Sequence, residues 1–531
     1  MGIRSQLAKV FAGTVPAGTA VDISVPEREE QGHYSTNIAF RLGKEQGRNP
    51  LEAAKEIAAA AAAAAPDLIE RATAVAPGFV NVWVAKSAFA REVLRATGHG
   101  YGPDRVPAEE QQKIQLEFIS ANPTGPLTLA NGRGGFLGDA LANALEAVGH
   151  RVEREYYVND TGNQVATFGK SLLAAAGFIP DEETFYKGAY VKEWADTHAD
   201  TVSKHQDDPE ALGKIAAADF LAAIKGVVEG MAGIRFDRYT SEERDIHAKG
   251  YLDRVKKVFA EKKISYEQEG ALWLRTTDYG DDKDRVLVKT DGVPTYFLAD
   301  AGHYLETLER GFDEKINILG PDHYGYVARI QAVAQILGLK KSEVVITQAV
   351  RLMRGGEEVK MSKRKGEFVT FGELVEEVGR DAARFFFLMT APESHMDFDL
   401  ALAAERSNKN PVFYAQYAAV RAGAILKKTG VPWFVGLRTL APLDTAEDLV
   451  LMRKIAQYPE VVADAAAARR VHRLAQYALE LARTFHAFYE KERVVGEPRK
   501  IRRARATLVL AARNVFKSLF GILGVSLPEK M

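Results

Sequence analysis

Cysteine is absent from this chain. Its absence excludes disulfides, thiolate metal sites and cysteine nucleophiles, and it fits a cytoplasmic location. Nowhere do about 18 apolar residues run uninterrupted, as a membrane-spanning helix requires, so no membrane partner is expected. The opening stretch, MGIRSQLAKVFAGTVPAGTA, mixes charge with glycine and lacks the apolar core of a secretory signal. No internal repeat is visible. An excess of charge is missing as well: 70 Lys and Arg stand against 71 Asp and Glu, a formal net charge of −1. A general nucleic-acid coat would be strongly basic, so any polyanion must meet local basic patches.

What is present is 531 residues, 47% hydrophobic and 27% charged, a globular composition too long for one core. Residues 1–105 read as a small α/β domain. The segment 51–65, LEAAKEIAAAAAAAA, is rich in the strongest helix former and stops at Pro66, while GFVNVWV at 78–84 has strand composition. A proline- and charge-rich linker at 102–112 follows. Strand 113–120, helix 136–150 and strand 154–160 then predict a parallel βαβ unit. Strands at 314–320 and 343–350 flank a helix at 326–338 and complete an α/β domain over 106–400, with an insertion at 165–285. Residues 401–531 lose the strand signal and predict an α-helical bundle. Its basic residues (Arg469, Arg470, Arg473, Arg499, Lys500, Arg502, Arg503 and Arg505) and its aromatics (Tyr477, Phe485, Phe488 and Tyr489) have a bland reading as solvated faces and core.

Three constellations carry chemistry. Residues 120–139, SANPTGPLTLANGRGGFLGD, form a strand-to-helix turn with Gly132, Gly134 and Gly135 at the helix start. Backbone N–H groups and the positive helix end there suit a phosphate, although a purely structural turn has the same composition. Residues 353–371, MRGGEEVKMSKRKGEFVTF, crowd Lys360, Lys363, Arg364 and Lys365 between glycines; alone, this is a solvated basic loop. In PTYFLADAGHY at 294–304, Tyr296 and Asp300 stand four apart and share a helix face. A strand-end Glu117 and a surface Asp300 are unremarkable singly.

The run LEFISANPTGPL at 116–127 with GRGG at 132–135 resembles the first signature of arginyl-tRNA synthetases of bacterial type. The string Lys360-Met361-Ser362-Lys363-Arg364 resembles the second class I signature. The element Tyr296-x-x-x-Asp300 is similar to the family's arginine-binding element, and LGPDHYGYV at 319–327 to a pocket-lining segment. GHYSTNIAF at 32–40 and NPVFYAQYAAVRAGAI at 410–425 are similar to its tRNA-contacting and anticodon-binding domains. In place of the family's His-x-Gly-His stand Thr128, Leu129, Ala130 and Asn131, so neutral donors replace both imidazoles.

The resemblance implies a small N-terminal α/β domain, a Rossmann-like parallel-sheet domain with an insertion, and a C-terminal helical bundle. It implies a ligase that activates arginine with ATP and transfers it to tRNA, with tRNA bound before activation, commonly as a monomer. Lys363, Lys360, Thr128 and Asn131 are the implied catalytic groups, with Gly132, Gly134 and Met361 joining them around ATP and Mg2+. Glu117, Ser120, Asn122, Tyr296, Asp300, Asp322 and His323 are the implied arginine site. Tyr34, Asn37, Arg473, Tyr477, Arg502 and Arg503 are expected to meet tRNA. No zinc or other protein-ligated metal is expected. Two rivals stand beside this reading: a class I synthetase for another amino acid, and a non-catalytic tRNA-binding paralogue.

Overall fold

A computed structural model describes residues 1–359, 369–430 and 435–531. At its centre five parallel strands run in the order Lys341–Ile346, Glu314–Leu319, Lys113–Glu117, Arg151–Val158 and Arg238–Ser241. The three middle strands alternate between two faces. Ile114, Leu116, Ile316, Ile318 and Tyr156 are buried, and so are Gln115, Glu117, Lys315, Asn317 and Glu155 between them. The register sets Glu117 beside both Asn317 and Glu155, and Gln115 beside Lys315. One face of this sheet is therefore polar, and the other is apolar apart from the buried Arg154 beside Leu116; both are covered.

Helix Leu129–Ala147 packs close to the sheet because it lacks side chains where the neighbours press. A Cβ on Gly138 would lie 2.3 Å from the Phe118 ring, and one on Gly135 would lie 2.8 Å from Ile119. This helix begins seven residues before the predicted 136, because Thr128 caps it. Helix Tyr296–Glu309 turns Asp300, His303 and Thr307 toward the polar side. The predicted strand at 343–350 divides in two: Lys341–Ile346 stays in the central sheet, while Val350–Arg354 pairs with Met396–Asp399. The expected insertion at 165–285 holds one core strand, Arg238–Ser241, between a helical segment and the antiparallel sheet Ser265–Gln268, Ala271–Leu274 and Arg285–Val288.

The N-terminal region carries a three-stranded antiparallel sheet under helices Ile3–Ala12, Ile38–Gln46 and Pro50–Ala64. The C-terminal region is a bundle of Pro411–Thr429, Ala446–Ala467, His472–Lys491 and Arg499–Leu523. The last of these is long and apolar enough to cross a membrane, but most of its apolar stretch is buried inside the bundle. Arg469 reaches from the bundle to Glu314 (2.7 Å) and Glu343 (3.2 Å) of the central sheet. Arg505 pairs with Asp448 and Glu492 inside the bundle. Neither is a free basic patch, which corrects the sequence reading of these two.

The N-terminal region meets the bundle at Glu460. Its carboxylate accepts from the Tyr34 hydroxyl (2.9 and 3.0 Å) and from the Arg4 backbone N–H (2.8 Å). Burial pushes the Glu460 carboxyl up to about 7, against the pull of Arg4. The native chain thus keeps this proton to higher pH than the unfolded chain does. The stabilisation is full below about pH 4.5 and is lost as pH rises through 7, amounting to about 3 kcal/mol. Urea midpoints of the chain should fall between pH 5 and 8, and Glu460→Gln should remove most of that slope.

Candidate active site

The strand ends open into a cavity of about 570 Å3 lined by Glu117, Ser120, Asn122, Thr128, Asn131, Gly134, Tyr296, Asp300, Asp322 and His323, among others. A crevice at the carboxyl ends of parallel strands is where this architecture binds ligands. The cavity brings together all seven residues of the expected arginine site.

Its floor is set by a sharp turn. Ile119 and Ser120 take left-handed φ values of 66° and 37°, at a cost of about 1–3 kcal/mol each. The turn lets Ser120 donate to Glu117 Oε1 (3.0 Å) while its oxygen accepts from Tyr157 N–H (3.1 Å). Glu117 Oε2 accepts from Asn317 Nδ2 (2.8 Å) and faces Lys315 Nζ at 3.2 Å. Ser120 therefore acts on the site through Glu117.

Two further carboxylates complete the wall. Asp300 accepts from the Tyr326 hydroxyl, and Glu242 from the Tyr157 hydroxyl at 3.1 Å. Burial pushes the Asp300 carboxyl up to about 6, and the charges of Glu242 and Glu117 add to that, against the Tyr326 hydrogen bond. Tyr296 stands at the opening, 49% exposed. The Asp322 and His323 side chains are also open to solvent, at 82% and 50%, and sit at the mouth. Glu242, Tyr157, Asn317 and Tyr326 escaped the sequence reading. Glu242 follows the strand hidden in the expected insertion, and Asn317 could have been found from its place in the K-x-N alternation of a buried strand.

The turn expected to hold phosphate departs from expectation in two ways. Thr128 and Asn131 form a capping box: the Thr128 N–H and hydroxyl donate to Asn131 Oδ1 (2.9 and 2.8 Å), and Asn131 N–H donates back to Thr128 Oγ1 (3.4 Å). The Thr128 hydrogen is thus committed, and the capping box leaves the Asn131 amide Nδ2 unused. Gly132 is not among the residues lining the cavity, and a Cβ there would lie 2.2 Å from the Phe371 ring. Gly134 does line the cavity, and a Cβ there would meet only Ile318 at 3.8 Å.

Phe371 holds a strap against this turn. Its N–H donates to Leu127 O (2.8 Å), and Thr370 bridges Thr128. Thr370 forms its own capping box with Glu373. Arg133 donates to the carbonyls of Gln348, Ala391 and Ser394, tying the same helix to the neighbouring loops. Lys360, Met361 and Lys363 lie outside the described residues.

Of the expected tRNA contacts, Tyr34 is buried at Glu460, and Tyr477 is buried with its hydroxyl on Lys454 O (2.6 Å). Neither can stack on a base. Asn37 is half-buried at a helix start, with its side-chain oxygen enclosed. Arg473 and Arg502 are exposed, and Arg503 is half-buried. An accessible aromatic on the bundle is Tyr489; the Arg421 guanidinium lies 4.6 Å above its ring and 4.3 Å above that of Tyr417. Such an arrangement suits stacking of unpaired bases.

Family models match three stretches: arginyl tRNA synthetase N terminal domain at residues 2–84, tRNA synthetases class I (R) catalytic domain at 99–390, and DALR anticodon binding domain at 415–531. Arginine–tRNA ligase of Citrifermentans bemidjiense is 41% identical over 98% of this chain and 97% of its own. The Frankia alni enzyme of that name is also 41% identical, over 98% and 96%. The putative arginyl-tRNA synthetase structure from Campylobacter jejuni has a TM-score of 0.75 at 30% identity, covering 84% of this chain and 100% of that one. The Thermus thermophilus arginyl-tRNA synthetase, at 22% identity and TM-score 0.81 over 99% of this chain and 100% of its own, shares the fold.

Gly132→Ala should drive a methyl into the Phe371 ring and cost about 1–3 kcal/mol. Phe371→Leu in the same chain should recover part of that loss. Thermal melting of the two variants checks the contact.

Proposed function

Because this chain belongs to the arginyl-tRNA synthetase family, it joins arginine to tRNA at the expense of ATP, and we propose that Glu117, Glu242 and Asp300 select the guanidinium. The observation that carries this reading is the convergence of three carboxylates on one cavity wall, with Tyr157 and Tyr326 as neutral donors behind two of them. A delocalised cation with five N–H donors fits three acceptors, where an ammonium would leave some unpaired. Tyr296 packs over the guanidinium, and Asn122 holds the main-chain polar groups of arginine.

The arginine carboxylate attacks the α-phosphorus of ATP, forming a mixed anhydride and expelling pyrophosphate. The terminal ribose hydroxyl of tRNA then attacks the anhydride carbonyl, and AMP leaves. No protein nucleophile takes part, so positioning and charge stabilisation carry the rate. In this proposal the Asn131 amide donates to a phosphate oxygen beside Gly134, and Lys363, with Lys360, supplies positive charge. Met361 lies between them against the nucleotide. Mg2+ bound to the ATP phosphates would screen their charge. Among the described residues, the cluster of Glu117, Glu155 and His303 has metal-ligand spacing, but the Lys315 ammonium lies within hydrogen-bonding reach of all three.

The chain works on this reading as a cytoplasmic monomer whose units span 1–105, 106–400 and 401–531. The bundle reads the anticodon through the Tyr417–Arg421–Tyr489 face, with Arg473, Arg502 and Arg503 on phosphates. An amino acid without a guanidinium leaves three carboxylates unanswered, and the paralogue reading, which rests on Thr128 and Asn131 in place of two imidazoles, has the near-full-length arginine–tRNA ligase relatives against it.

Arginine-dependent ATP–pyrophosphate exchange, run with and without tRNA, tests the activity; no exchange under either condition overturns it. Asp300→Asn should raise the arginine KM by about 10- to 100-fold while leaving the ATP KM near its starting value. In the parent chain the arginine KM should rise as pH falls through about 6, since the carboxylate must be ionised to hold a cation. Asp300→Asn should flatten that rise. Tyr489→Ala should raise the tRNA KM about 5- to 100-fold with exchange at saturating tRNA retained.

A further inference from the structure

Beneath the guanidinium wall, and turned away from it, lies a second set of charges. Lys315 is fully buried on the central strand. Its Nζ donates to Gln115 Oε1 (2.6 Å), lies 3.2 Å from Glu117 Oε2 and 3.4 Å from Glu155 Oε2, and sits 3.3 Å from His303 Nε2. The Tyr304 ring lies 5.3 Å beneath it. Glu155 is itself enclosed, accepting from Thr240 and from His303 (3.0 Å). Burial alone would raise its carboxyl, but the charges of His303 and Lys315 hold it well below the usual range.

Glu117, Glu155 and His303 offer ligand atoms within 4.8 Å of one another, a spacing that suits a divalent cation. Two buried carboxylates that close cannot both stay ionised without a positive charge between them. A metal could answer both, but the Lys315 ammonium already lies between them. A lysine ammonium answers both with donors only, and leaves the second Glu117 oxygen to Ser120.

We propose that Lys315 is a built-in cation that fills the Glu117–Glu155–His303 triangle, closing it to metal ions and holding Glu117 in its arginine-binding orientation. Lys315 is thus a positioning residue for substrate selection. The proposal rests on the reading of Glu117 as a guanidinium ligand.

The test compares the full chain with Lys315→Met and with Lys315→Met/Glu155→Gln, which removes one charge of each sign. In exchange assays with tRNA, Lys315→Met should raise the arginine KM about tenfold or more, with the ATP KM within about twofold. The double variant should recover most of that loss, to within about threefold of the parent. Co2+ added to nucleotide-free protein should give a visible absorption band with Lys315→Met and none with the parent or the double variant. An arginine KM within about twofold of the parent in Lys315→Met overturns the proposal. So does a double variant no better than the single one, since the loss would then be packing alone, and so does a Co2+ band in the parent or none in Lys315→Met. Should Lys315→Met not fold, the double variant decides: an arginine KM within about threefold supports the proposal, and a larger loss overturns it. Absence of arginine-dependent exchange in the parent would instead sink the guanidinium reading, and the Co2+ comparison would still decide the triangle.

Discussion

A parallel sheet covered on both faces usually carries apolar side chains on both. Here one face buries Gln115, Glu117, Glu155, Lys315 and Asn317, and the need to compensate them shapes the centre of the molecule. An ionised carboxylate with no donor in the interior gives up its charge. Ser120, Asn317 and Lys315 surround Glu117; Glu155 keeps its charge through His303, Lys315 and Thr240. The left-handed turn at Ile119 and Ser120 serves the same need, since only there does the serine hydroxyl reach Glu117 and the Tyr157 N–H together. Toward the open end the compensation thins. Asp300 is met by a phenol, and Glu242 by a phenol and the His247 ring at 3.3 Å. Among the described residues, no lysine or arginine faces them as Lys315 faces Glu117.

The second dependence is geometric. The glycines of the first signature look like a phosphate cradle in sequence, yet Gly132, Gly135 and Gly138 clear space for Phe371, Ile119 and Phe118. Only Gly134 faces the cavity with open approach. What the glycines achieve is a helix seated hard against the sheet and against the strap at Thr370 and Phe371. Two helix starts, capped alike by Thr128 with Asn131 and Thr370 with Glu373, are thereby joined at one bridge. Replacing the family's imidazoles by Thr128 and Asn131 gives up two chargeable groups and gains a closed cap, which fixes the Asn131 side chain through its oxygen.

Much of this was legible in the residues. The strand–helix–strand unit, the helical C-terminal part and the Tyr296–Asp300 face follow from periodicity and from resemblance, and the cavity gathers the expected arginine residues. The misses have physical causes. Arg238–Ser241 is a short edge strand in a helical stretch, too brief to signal itself, so Glu242 at its end went unseen. Tyr34 and Tyr477 were expected to meet tRNA, because sequence alone cannot say that the bundle covers Tyr34 at Glu460 or that a neighbouring helix of the same bundle covers Tyr477 at Lys454. The Glu117–Lys315 contact joins residues about two hundred positions apart, and only strand order brings them together.

That same strand order explains how the bundle can matter to the cavity. Arg469 places its guanidinium on Glu314, at the start of the central strand whose later residues are Lys315 and Asn317. At the other side, Arg384 donates to Leu523 O and pairs with Asp139, while Asn143 donates to Ile522 O (3.0 Å), so the last helix of the bundle is tied to the capped helix. These bonds engage a buried charged group or a backbone carbonyl, which makes them costly to break singly. A bundle held at both the central strand and the capped helix cannot shift without loading the two elements that carry Asn317 and Asn131. The positions of Asn317 and Asn131 are therefore set partly from outside the central sheet, by the bundle that matches an anticodon binding domain.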